Sequence, residues 1–147
     1  MNKEKEYEKE YEKELKKETD MFLSVCNRED ARALILYKEK DGTEDIARIA
    51  TLTIVFGFKK LFFKIMAKMS QESANECIAR ITEVMNDFET INKWVTEFIS
   101  KSMSEKFSKN MLPYWEEYAK GVDRAKFSLS DFFKVGKEKF RFTFLLK

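Results

Sequence analysis

The stretch TEDIARIATLTIVFGFKKLFFKIMAKM, residues 43–69, is the most apolar run in an otherwise polar chain, and its reading decides the fold. Thr43 stands where an N-cap is wanted. Glu44 and Asp45 follow in the first turn, where the positive end of a helix dipole favours acids. Ile46, Ile49, Ala50, Ile54, Phe58, Leu61, Phe62 and Ile65 then recur at steps of three and four, the period of one buried helix face. Thr53, Gly57, Lys60, Lys64 and Lys68 fall at the same steps on another face, so a basic stripe is expected opposite or beside the apolar one. The pattern predicts one continuous helix over residues 46–66, its lysines turned outward from a shared interior.

A β signal competes with this. Residues 51–55 are rich in β-branched side chains, which favour strands. Leu34, Ile35 and Leu36 lie upstream, and an Asp41-Gly42 pair between apolar runs is a hairpin signature. The alternative fold is therefore α+β, with a small sheet from residues 33–55 and the C-terminal tail. Continuation of the helical spacing to Met66 favours the all-α reading. The uncharged run from Ile49 to Phe58 is ten residues long, against the ~20 needed to span a bilayer. An amphipathic helix lying on a membrane surface is a further alternative, since lysines beside Phe and Leu suit that role.

Working outward, the first twenty residues carry six basic and eight acidic groups in an EKEY-type tract, with Tyr7, Tyr11 and Leu15 at four-residue steps. One narrow apolar stripe orders such a helix weakly, so residues 1–18 are expected to be a charged arm on a single domain of residues 19–147. Met21, Phe22, Leu23 and Val25 should bring it to the core. Asn27 caps an expected helix through about residue 40. Ser70, followed by Gln71 and Glu72, opens another, with Ala74, Ile78, Ile81, Met85, Phe88, Val95 and Ile99 near heptad spacing. Asn86, Asp87 and Thr90 are candidate breaks in it, and Glu72, Glu76, Glu83 and Asp87 share an outer stripe that would complement the lysines. Residues 100–110 read as a polar link. Pro113 suits the first turn of a short helix that Gly121 ends. The tail alternates Phe140, Phe142, Phe144 and Leu146 at a strand-like period.

The net charge of +2 conceals local patches: residues 59–68 carry +4, residues 69–105 carry −4 and residues 106–147 carry +5. That layout is unlike the uniform basicity of a non-specific nucleic-acid coat. Lysine outnumbers arginine 22 to 6, as in an AT-rich genome such as that of a virus or mobile element. Cys26 and Cys77 are too few for a disulfide framework, and a charged N-terminus is unlike a signal peptide, so a cytoplasmic location with reduced thiols is expected.

Catalytic chemistry is hard to place. With no histidine, His-based triads and zinc motifs are excluded, and neither GxxxxGK[ST] nor GxGxxG occurs. A helix-turn-helix around residues 44–61 lacks an evident turn. No cofactor or metal is expected. These features lead to an all-α bundle of about five helices and to a non-enzymatic, protein-binding function: an accessory, regulatory or inhibitory factor covering a surface of a larger protein or nucleoprotein assembly. The candidate contacts are Lys59, Lys60, Lys64 and Lys68, with Trp115, Phe140, Arg141, Phe142 and Phe144, although a lysine row is most often a solvated helix face and an aromatic tail most often core. Nucleic-acid binding through the same lysines and the basic aromatic C-terminal third is the alternative. A homodimer is open and a membrane disfavoured.

Overall fold

A computed structural model describes residues 2–25, 43–135 and 138. The expected helix over residues 27–40, the Asp41-Gly42 turn and the Phe-rich tail lie outside the described residues. Seven helices are present among those described: α1 (Asn2–Val25), α2 (Thr43–Val55), α3 (Lys59–Ala67), α4 (Gln71–Val84), α5 (Phe88–Lys101), α6 (Glu105–Lys120) and α7 (Leu129–Val135). No strand occurs among them, and residues 51–55 are helical. The all-α bundle is what the apolar spacing predicted, built of shorter pieces.

The largest correction concerns residues 46–66, which form two helices and not one. The Phe58 N–H donates to the Thr53 carbonyl at 2.7 Å and the Gly57 N–H to the Ile54 carbonyl at 3.0 Å, while Gly57 has φ of 83°. This paired closure on a left-handed glycine terminates α2. The break has a packing reason. Phe56 and Phe58 are both fully buried, whereas residues two apart on a helix point ~200° from each other and cannot share one core face. Breaking the helix lets both rings meet Phe98 of α5 and Phe22 of α1, with Phe56–Phe98 at 5.8 Å and Phe22–Phe58 at 6.0 Å.

Helix α2 is the axis, packed against α3, α4, α5 and α7. It is buried nearly all round, including Thr51 and Thr53, which the periodicity had left off the core face or placed on the basic stripe. Thr53 Oγ1 donates to the Ala50 carbonyl at 2.6 Å, and Thr51 Oγ1 has no hydrogen-bond partner among the described residues.

The long segment after Ser70 also divides, at Asp87. Its carboxylate accepts from the Thr90 hydroxyl at 2.6 Å and the Thr90 N–H at 3.2 Å, which caps α5 and holds the carboxyl below the usual range. The buried face of α4 is Cys77, Ile81 and Val84, not the predicted Ala74–Ile78 line, and Ile78 is half exposed. Residues 105–110 belong to α6, so Pro113 sits inside that helix, not at its start. Its ring is exposed, where water can serve the carbonyl the missing N–H leaves free, and Met111, Trp115 and Ala119 anchor the inner face. Gly121 ends α6 without a left-handed turn, at φ of −88°.

Candidate functional site

The predicted lysine row lies on α3, and the structure alters its character. Lys59, Phe63 and Ala67 form the exposed ridge of this helix, whereas Lys60, Lys64 and Lys68 are each half-buried along one flank. The lysines therefore do not all look outward; the centre of the outer face is a phenyl ring that is 48% exposed.

Two neighbouring helices border the ridge. On one side the Lys60 ammonium lies 5.6 Å from the Tyr11 ring of α1. On the other, Lys59 lies 5.9 Å from the Phe133 ring of α7 and 6.0 Å from Phe63. Such contacts are worth about 0.5–1 kcal/mol each at exposed sites and leave the ammonium free to meet an anion. Tyr7 lies one turn before Tyr11 and is 74% exposed. Residues 2–10 are all exposed, so the start of α1 extends roughly 13 Å past the Tyr11 contact with the body.

How α1 is held explains why α3 forms where it does. The first turn of α3 contains no acid and two lysines, against the helix dipole, and Phe58 gives it no side-chain cap. The cap arrives from elsewhere: Glu18 of α1, only 2% exposed, accepts from the Leu61 N–H at 3.1 Å. A buried carboxylate on an open helix N-terminus answers both the unpaired N–H groups and the dipole. Nothing in the spacing of residues 43–69 signals this contact, which joins residues 43 positions apart.

The charges of α3 are not balanced locally. Ion pairs form elsewhere, between Arg48 and Glu97, Arg80 and Glu83, Lys109 and Glu105, and Arg124 and Glu89. Among the described residues none joins Lys59, Lys60 or Lys64 to a carboxylate. Burial, and then the like charge of Lys64, hold the Lys68 ammonium below the ordinary lysine range.

The other sequence candidates fare differently. Trp115 is fully buried, stacks on Phe88 and Tyr118, and donates from Nε1 to Asn92 Oδ1 at 2.8 Å, so the structure places it in the core. Phe140, Arg141, Phe142 and Phe144 lie outside the described residues. Residues that the spacing missed are Phe63, Tyr11 and Phe133; for Phe63 the signal was its place midway between the two lysine turns. Cys77 is a free, buried thiol, pushed up to about 11 by burial, and so unreactive near neutral pH. Among the described residues no group of His, Cys, Asp or Glu could hold a metal ion, and no helix is long and apolar enough to cross a membrane. An open depression lined by Glu105, Lys106, Lys109 and Asn110 converges no reactive groups. No protein-family model, curated protein or solved structure matches this chain.

Proposed function

We propose that the chain is a non-enzymatic protein-binding module, a small cytoplasmic accessory, regulatory or inhibitory factor that acts by covering a surface of a larger assembly. The observation that supports this reading is Phe63, a large exposed ring flanked by Lys59, Lys60 and Lys64, none of them ion-paired among the described residues, with Lys60 in turn lying over the exposed Tyr11 ring. Exposed aromatic anchors inside a charged rim are the composition of protein interfaces. A tagged chain used as bait in its native host should retain a stoichiometric protein, and the Phe63→Ser/Lys64→Glu variant should retain it poorly. Recovery of no stoichiometric protein counts against the reading.

A second reading is favoured by one feature. The three-residue turn Phe56, Gly57 and Phe58 makes α2 and α3 a helix–turn–helix in sequence order, with lysines in the first turn of the second helix, where such motifs read DNA. The turn judged absent from the sequence is thus present. Duplex DNA binding would be salt-steep and lost in Lys59→Glu/Lys60→Glu; no shift at low salt disposes of it.

A further inference from the structure

Resting on the protein-binding reading, we infer that the outer face of α3 takes an acidic segment of a partner protein, with an apolar side chain of that segment on Phe63 and carboxylates at Lys59, Lys60 and Lys64.

Three independent observations converge on this chemistry. The first is charge. Lys59, Lys60 and Lys64 have no ion-pair partner among the described residues of a chain holding 26 acidic groups, and Lys68 is held below its ordinary range partly by Lys64. An anion laid along this helix removes that mutual repulsion. The second is local unfavourability. Two lysines occupy the first turn of α3, where the dipole opposes them, and its one visible compensation, Glu18, is buried beneath and not on the outer face. A sequence that breaks a local rule on an exposed face is most economically explained by something that binds there. The third is shape. The ridge is centred on the Phe63 ring, which packs edge-on against Phe62 at 5.4 Å, and the lysines beside it lie over Tyr11 and Phe133, so an apolar anchor meets an exposed phenyl ring set among aromatic-backed lysines.

The same geometry favours a peptide over a polyanion. Lys60 to Lys68 spans only about 12 Å of helix axis. A nucleic-acid strand places a phosphate every ~3.4 Å and continues past that length. Beside the ridge lies α1, whose residues 2–17 hold six glutamates and six lysines and so add no net basic charge to lengthen the site. A vesicle surface would likewise find no wider basic field there. A short segment with acids at one or two helical turns and one buried side chain matches the lysine flank and the Phe63 centre together.

The test is selection of random peptides of about 12 residues displayed on phage against the full chain. Phe63→Ser and Lys60→Glu/Lys64→Glu chains serve as counter-targets, with circular dichroism showing that each variant keeps the helical fold. The expected result is enrichment of net-acidic peptides carrying Leu or an aromatic residue, with affinity for either variant weaker by about tenfold or more, ~1.4 kcal/mol. The inference is overturned if nothing is enriched, if enriched peptides are not acidic, or if they bind both variants equally. It is also overturned if a single-stranded oligonucleotide or phosphatidylserine vesicles bind more tightly than the peptides at physiological salt. Self-association abolished by Phe63→Ser would assign the face to a second copy and overturn it as well. Retention of the host partner by a variant that has lost peptide binding sinks this site while leaving the protein-binding reading standing.

Discussion

Helices α2 and α3 come from one apolar run and are joined by three residues, yet they occupy opposite extremes of the molecule. Helix α2 touches four neighbours and has buried side chains on every side, threonines included. Helix α3 buries Leu61 and Ile65, lays Lys60 and Lys64 along a flank, and turns Lys59 and Phe63 to solvent. The difference is one of surroundings. A helix with neighbours on all sides gains from apolar residues on all sides, whereas one at the rim needs only a stripe. The chain changes from one regime to the other at Gly57. Substitutions in α2 should therefore cost the most stability, and those on the outer face of α3 the least.

The largest expected effect is in the junction's core. Phe56→Ala removes a fully buried ring in contact with Phe98 and should cost about 3–5 kcal/mol in urea unfolding. If the cost is no larger than for the exposed Phe63→Ala, within about 1 kcal/mol, the contrast between the two helices fails.

Next comes the cap that α3 borrows. Glu18→Ala leaves the Leu61 N–H buried without its acceptor, a loss of about 1–3 kcal/mol. Amide exchange should speed up most in the first turn of α3, and a uniform acceleration across α2 would argue against a local cap.

The sign of a Gly57→Ala substitution tests the boundary itself. In a continuous helix, alanine would stabilise by about 1 kcal/mol. At φ of 83° it should instead destabilise by about 1–2 kcal/mol. Thermal melts that rise and do not fall would restore the single helix.

Two smaller effects sharpen the contrast. The Cys77 pKa in the fold, about 11, lies above the ordinary value of 9.0, so the folded state favours the protonated thiol. That contribution is fully present below pH 9 and is lost as pH rises through 11. Cys77→Ser, which has no thiol to titrate, should show a shallower decline over the same interval. Thr51→Val replaces an orphaned buried hydroxyl in α2 by a methyl, and should raise stability by up to about 1 kcal/mol. A loss of similar size would mean that the hydroxyl has found a water.

How much could be read in advance follows from the range of each contact. Periods of three and four residues are local, so the helical state of residues 43–55 and 59–67 and the inward set Ile46, Ile49, Ala50, Leu61 and Ile65 were legible. The break was signalled too, by a glycine followed by a buried phenylalanine, but the same glycine fits a helix interior at a cost of ~1 kcal/mol. Only the wish of Phe56 and Phe58 to share a core with Phe22 and Phe98 decides between them. The burial of Trp115 was hidden from the sequence for a similar reason. Its ring suits an interface or an interior equally, and Asn92, which satisfies its N–H, lies 23 residues away.

What the sequence determined by itself is a helical chain without histidine chemistry, with its apolar axis at residues 43–69 and its unbalanced lysines just beyond the middle of that run. The tertiary structure alone decided where the axis breaks, that Glu18 caps α3, and that Phe63 shares the outer ridge with Lys59 while Lys60, Lys64 and Lys68 are half-buried beside it. The physical reason is that backbone period is set by neighbours in the chain. Which side of a helix meets water, and which carboxylate reaches a distant N–H, are set by packing between segments that are far apart along it.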